Sequence, residues 1–295
     1  MVNKIIKFIF PLIFITAIIF TLAFSDSRLP RLNLDRNKIE ISNFNKSEFY
    51  SSLNYGSIDP EAIFNSEKMV SAAIVPHYYP AGFMIARLLQ TVGGNIERVV
   101  VIGPNHREAG GSVITSGSAD WETPFGILET DKETVNELYN KGLAAVDEEV
   151  LEGEQSIEVL AVYIKYFLKD AKIVPVVLKR AVTDAETEKL ADFFSKKIGA
   201  ETLVLASVDF SHYLTKKEAD EKDRQTGEMI KNYRIADLDG LDSDYLDSPG
   251  AVITLLKFAQ KKKLGQPEVI EHINSADLTG SNPKETTGFY LIVFK

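Results

Sequence analysis

Thr202-Leu203-Val204-Leu205-Ala206-Ser207-Val208-Asp209-Phe210-Ser211-His212-Tyr213 is the stretch from which the fold can be read. Its first half is short, apolar and partly β-branched, the pattern of a strand buried on both faces. Where the strand ends, an aspartate and a histidine follow three residues apart. A carboxylate and an imidazole are poor choices for packing a strand end, but they suit a site.

The pattern recurs upstream. Ser71 to Val75 is strand-like and runs into Pro76-His77; Arg98 to Gly103 is strand-like and runs into Pro104-Asn105-His106. The chain has four histidines, and three of them stand just past such runs. Ligands of open α/β sheets bind outside the carboxyl ends of the strands. His77, His106 and His212 are therefore expected to share one cleft despite their distance in sequence. The fourth, His272, falls in an alternating strand and reads as an exposed or paired surface residue.

Working outward, strands alternate with helices. A strand near 70–75 leads to a helix near 81–92, then to the strand 98–102. A strand over 112–116 and a loop over Trp121–Gly126 follow. Helices are expected over 131–140, capped by Asp131, and over 155–168, where Ile157, Leu160, Ala161, Ile164 and Leu168 recur at helical spacing. The strand 172–178 contains Pro175, which predicts a bulge or an edge. Helices over 184–198, 216–233 and 251–261 and strands over 268–273 and 288–294 complete the chain. This alternation predicts an α/β fold: a single domain with a central mixed, mostly parallel sheet and helices on both faces.

The remainder of the chain divides simply. Lys4 and Lys7 precede Phe8–Phe24, a continuous apolar run with Pro11, Thr16 and Thr21 inside it. A charged start followed by an apolar segment reads as a signal peptide or membrane anchor over residues 1–25. Ala23-Phe24-Ser25 offers a peptidase the small residues it needs, while the length favours an anchor slightly. Lys4 and Lys7 would remain inside, which places the rest of the chain outside the cytoplasm, membrane-anchored or secreted. Residues 26–68 are rich in Asn, Ser and charge and read as a linker and irregular lead-in, with Phe49, Tyr50 and Tyr55 available to pack on the domain. Residues 69–295 form the domain, about 230 residues, enough for one α/β core.

Composition excludes several functions. The formal net charge is -9 and no long basic run is present, which argues against a nucleic-acid partner. The chain has no cysteine, so disulfides, thiolate catalysis and cysteine-built zinc fingers are excluded.

Two chemistries suit the histidines. Neutral imidazole is a ligand for zinc, iron and copper, and His77 and His106 would supply half of a metal site. A carboxylate must complete it, and Asp209, Asp247, Asp244, Glu154 and Glu158 are all candidates. Alternatively, Asp209 and His212 facing one pocket form an acid–base pair, because a neighbouring carboxylate favours the charged imidazole. Ser156 and Ser211 lie outside any nucleophile elbow. Trp121, the only tryptophan, could wall the pocket or cover the domain edge.

Val75-Pro76-His77, Gly103-Pro104-Asn105-His106, Trp121-x-Thr123-Pro124-Phe125-Gly126, Glu154-x-Ser156-Ile157-Glu158 and Ser207-x-Asp209-Phe210-Ser211-His212 together resemble the Memo-like family, in the same order and spacing. Its bacterial members include the AmmeMemoRadiSam system protein B, and its fold resembles the class III extradiol dioxygenases. The resemblance runs from about Ala72 to the end of the chain. It implies a metal-capable pocket containing His77 and His106, lined by Asp209 and His212. Asn105, Trp121, Glu154 and Ser211, inside the same motifs, are candidates for substrate contact.

Two departures stand out. The family's Glu-His-Ser is Glu154-Gln155-Ser156 here, and the family's cysteine ligand aligns with Asp247. The resemblance therefore implies a His77, His106 and Asp247 metal set, with His212 and Asp209 as catalytic groups. The cofactor expected is a divalent metal, Fe(II) in preference to zinc or copper. The function expected is a dioxygenase-like, metal-dependent redox enzyme acting outside the cytoplasm on a small molecule or peptide. A zinc-dependent hydrolase and a non-catalytic binding module are the alternatives.

Overall fold

The structure is a computed structural model that describes residues 37–54, 69–280 and 284–295. The apolar run 8–24, read as a signal or anchor, lies outside the described residues. Among the described residues no helix is long and apolar enough to cross a membrane.

In chain order the elements are β1 (Lys38–Glu40), α1 (Lys46–Leu53), β2 (Ala72–Val75), α2 (Phe83–Val92), β3 (Arg98–Pro104), β4 (Ile114–Ser116), β5 (Asp120–Thr123) and β6 (Gly126–Leu128). Then come α3 (Lys132–Asn140), β7 (Ala145–Val146), α4 (Glu148–Leu151), α5 (Gln155–Phe167), β8 (Lys172–Leu178), α6 (Asp184–Lys197) and β9 (Thr202–Ser207). The last are α7 (Lys216–Lys231), α8 (Ile235–Leu238), α9 (Pro249–Lys262), β10 (Glu268–Asn274), α10 (Ser275–Thr279) and β11 (Gly288–Phe294).

Eight strands form the main sheet in the order β10-β11-β2-β9-β3-β8-β4-β7. Its centre, β2-β9-β3-β8, is parallel throughout. β11 and β10 continue antiparallel at one side, and β4 joins β8 antiparallel at the other. The expected mixed α/β sheet is present. Alternate residues of each central strand enter two separate cores, as a period of two requires. Val99, Val101, Leu203 and Leu205 face the core beneath α2 and α5. Val100, Ile102, Val204 and Ala206 face the core that holds Leu190 and Phe194 of α6 and Val252 and Leu255 of α9.

Helix starts follow local chemistry. Asp131 caps α3 through the Thr134 N–H, and Thr183 and Thr215 form capping boxes with Glu186 and Glu218 at α6 and α7. β3 comes so close to α5 that a Cβ on Gly103 would stand 2.7 Å from Ser156 Cβ.

Three expectations are corrected. The loop expected at 121–126 is a hairpin, β5 and β6, which joins β1 in a small separate sheet. Pro175 makes neither a bulge nor an edge, since β8 keeps unbroken register with β3 from Lys172 to Leu178. On its other side β4 pairs only with Val176 to Leu178, and the Ile173 N–H bonds Glu129 O. Pro175 sits in the gap between these contacts, where no ladder donor is missed, and its carbonyl accepts from Ser116 Oγ. The lead-in is not irregular over residues 37–54: β1 pairs with β5, and α1 buries Phe49 completely.

Candidate metal centre

Because β2, β9, β3 and β8 are parallel, their carboxyl ends open on one edge of the sheet. His77 follows β2, His106 follows β3, and Asp209 and His212 follow β9. Asp247 arrives at the same edge from the loop before α9, one residue ahead of the Ser248 cap. It is locked to the β9 loop reciprocally. Its N–H donates to Asp209 O at 3.1 Å, and its Oδ2 accepts the Asp209 N–H at 3.2 Å.

His77, His106 and Asp247 present ligand atoms within 4.8 Å of one another, a group able to hold a metal ion. Asp247 Oδ2 lies 3.2 Å from His77 Nε2 and 3.7 Å from His106 Nε2. The two rings stand nearly perpendicular with centroids 5.0 Å apart. Each ring's other nitrogen has a partner of its own. His77 Nδ1 meets Ser207 Oγ at 3.2 Å, and His106 Nδ1 meets Glu154 Oε1 at 2.6 Å. Such partners fix which nitrogen points at a metal. Glu154 also accepts the His106 and Ser156 N–H groups and the Ser156 hydroxyl, so one carboxylate sets both the ring and the start of α5.

Burial and charge oppose each other here. Burial alone would lower the His77 pKa, but Asp209 and Asp247 outweigh it and raise it. Burial likewise disfavours charged His106, yet its bonds to Asp247 and Glu154 push it up to about 10. Burial would raise Asp247, but the His77 charge and the bonds to both histidines hold it well below the usual carboxylate range. Asp209 is raised, chiefly by burial, with Asp247 adding to it against the opposing pull of His77. Asp247 Oδ1 is buried and makes no hydrogen bond. An orphaned carboxylate oxygen beside two oriented imidazoles is the donor chemistry of a divalent cation site, so these residues fit a metal.

A cleft of ≈ 530 Å³ opens over this group. Asp209 and His212 both line it, as expected. The His212 N–H is tied to Ser243 O, while its Nδ1 is buried without a partner. Asp209 Oδ1 accepts the His77 N–H, and its Oδ2 lies 3.7 Å from His77 Nε2. Gln155, standing where the resembling family has a histidine, lines the cleft and donates to the His77 carbonyl at 3.3 Å.

Other candidates lie elsewhere. Trp121 does not line the cleft: it is fully buried on β5, in the core beneath α2 and α5. Ser211 does not line it either. It is fully buried, with its N–H on Asp223 Oδ1 and its carbonyl accepting from Gly288. Asn105 borders a smaller neighbouring cleft, but its amide closes a turn with Ala109. Asp244 is half-exposed and faces Lys222, and Glu158 ties Ser42 and Gly153 together. His272 is paired with Asp223 at 2.9 Å and stacks on Tyr290. Ser207 and Gln155 were named within the sequence motifs but given no role toward His77, since each supports it only through a contact formed by folding.

Fold and site together define an α/β protein with two histidines and one carboxylate, grouped so that they could hold a metal ion, at the carboxyl edge of its sheet. Residues 46–287 match the family described as Memo-like protein, and the chain belongs to that family. It is 30% identical over 254 residues to a MEMO1 family protein of Caldivirga maquilingensis, covering 80% of this chain and 88% of that one. A MEMO1 family protein of Pyrobaculum arsenaticum is 30% identical over 75% of this chain and 82% of its own. Among solved structures, an uncharacterized protein of Escherichia coli K12 aligns with a TM-score of 0.46 and 11% identity, covering 76% of this chain and 99% of that one.

Proposed function

We propose that this protein is a metal-dependent, dioxygenase-like oxidoreductase that binds a divalent metal, preferentially iron(II), through His77, His106 and Asp247. The observation that carries the reading is the convergence of two Nε2 atoms and Asp247 Oδ2, with each Nδ1 already held by another residue. A ferrous ion held by two imidazoles and one carboxylate supplies Lewis acidity and one-electron chemistry. The remaining work falls to the chain. His212, which lines the cleft and whose buried Nδ1 has no hydrogen-bond partner, moves the proton. Asp209 positions His77 through its N–H and shares the buried charge. The apolar run 8–24 after Lys4 and Lys7, and the absence of an oxidisable cysteine, support a site of action outside the cytoplasm.

The same donor set suits zinc, and a hydrolase with His212 or Asp209 as base is the second reading. Anaerobic reconstitution with iron(II) or zinc separates the two. One iron per chain, with oxygen uptake when substrate is added, favours the first; zinc with hydrolysis favours the second. Asp247→Ala is expected to lose the metal while keeping the fold, measured by elemental analysis. Full metal content in that variant would end the metal assignment, and a metal-free wild type that still bound a partner would point to a binding module.

A further inference from the structure

Arg180 lies two residues past the end of β8, the fourth parallel strand that opens on the site edge. It lines the large cleft over the metal group and also a smaller one of ≈ 150 Å³ beside it. The two clefts share three residues: His106, Asp247 and Arg180. Among the described residues Arg180 is the only lysine or arginine on the lining of the large cleft, which also includes Asp209, Asp247 and Glu285.

The acid bonded to its backbone does not neutralise it. Glu108 uses Oε1 to accept the Arg180 backbone N–H at 2.9 Å, which fixes the loop and leaves the guanidinium alone. Neighbouring Lys179 is committed to Gly110 O at 2.6 Å. Among the described residues the Arg180 guanidinium makes no hydrogen bond and no ion pair. Arg180 is an exposed side chain on the lining of a polar cleft, with its donors free.

Two further features point to a ligand. Glu108 (φ 50°) and Tyr213 (φ 57°) both hold left-handed backbone that side chains rarely adopt, one bordering each cleft. Such strain collects at ligand clamps. Tyr213 is 78% exposed, and Tyr78 stacks on Phe289 with rings 11° apart, giving the large cleft a flat aromatic wall.

We propose that Arg180 determines specificity in this cleft, and that the molecule recognised is a small oxyanion whose carboxylate or phosphate meets the Arg180 fork while its other end reaches the His77–His106–Asp247 group. A guanidinium presents parallel N–H donors that match either oxyanion. In a chain of net charge -9, an anionic molecule needs a positive point of entry; Arg180 supplies one, and a cation held by His77, His106 and Asp247 would supply a second. This inference rests on the metal reading above.

The test uses the full-length chain loaded with zinc and three metal-chelating hydroxamates of matched length, carrying a carboxylate, a phosphonate or a methyl tail. Each is prepared with two to four methylenes, and binding is measured by calorimetry. At least one charged tail should bind about tenfold or more tightly than the methyl tail. That advantage should vanish in Arg180→Gln and partly return in Arg180→Lys, while the methyl compound binds all three proteins alike. Which charged tail wins identifies the oxyanion. Equal binding of all tails to the zinc-loaded wild type, or an advantage that survives Arg180→Gln, overturns the proposal and leaves the metal site standing. Failure to take up either zinc or, anaerobically, iron(II) removes the metal reading, and the proposal with it.

Discussion

Glu154 shows how a single residue can serve a helix and a site together. Its carboxylate accepts from His106 Nδ1, from two backbone N–H groups and from the Ser156 hydroxyl. Bonding to His106 holds Glu154 below the usual carboxylate range even though burial pulls it upward. An amide cannot accept from that many donors. Glu154→Gln should therefore weaken metal binding about 10–100-fold, the cost usual for losing an outer partner of a ligating histidine. Competition against a coloured chelator measures it, and unchanged affinity would remove Glu154 from the site. At this scale the sequence was informative where chain position decides the role. His77, His106, Asp209 and His212 each follow a strand, and parallel strands bring their ends together. It was silent where packing decides. Nothing local tells whether Trp121 faces a cleft or a core, and Ser211 differs from its neighbour His212 only by which way the turn points it. Asp247 was one of three aspartates within six residues, and family resemblance rather than local pattern separated it from Asp244.

Between residues and the whole stand the caps and ladders. Asp131 caps α3 by accepting the Thr134 N–H and hydroxyl, and Arg98 at the start of β3 pairs with it. One carboxylate thus ties a helix start to the central sheet. Burial would raise its pKa, but the Thr134 bonds and Arg98 lower it. A folded-state pKa below the unfolded value of about 3.9 gives stability that is complete above that pH and is lost as pH falls through the folded value. Asp131→Ala should cost about 1–2 kcal/mol near neutral pH, and the gap to wild type should narrow below about pH 4. Urea unfolding across pH checks both parts; a gap that does not depend on pH would mean that the charge contributes nothing. Asp131 was legible as a cap because capping is local. The β5–β6 hairpin was not, because Pro124 and Gly126 spell a turn whether or not the flanking residues find a partner strand. That partner is β1, more than 75 residues earlier. Pro175 misled for a related reason: its tolerance depends on a gap in β4 pairing that only the assembled sheet contains.

For the whole molecule, the question is how the residues before β2 relate to the domain. The run 8–24 should export it, and a reporter fused after Lys295 that works only in the cytoplasm would defeat that expectation. Residues 37–54 are a different matter, because they belong to the fold. β1 pairs with β5, Ser52 Oγ meets Tyr163 OH at 2.6 Å, and Glu158 accepts from Ser42. Phe49 is fully buried, with its ring 4.8 Å from Tyr163 and 5.1 Å from Phe125. Composition hid this, since Asn and Ser dominate the segment and its aromatics, Phe44, Phe49 and Tyr50, are scattered among polar residues. Phe49→Ala should cost about 3–5 kcal/mol, the range for emptying a buried aromatic position. Two of the rings it contacts, Tyr163 and Tyr166, lie on α5, whose N-terminal end carries the cap Glu154 and Ser156. The loss should therefore appear as a lower unfolding temperature, about 2–4 °C for each kcal/mol in a domain of this size. Metal stoichiometry measured well below that temperature should stay at the wild-type value, because no residue of the metal group touches Phe49. A variant as stable as wild type would show that α1 packs on a finished domain rather than completing it. Loss of metal in the cold would show instead that the aromatic cluster and the metal centre are coupled through α5.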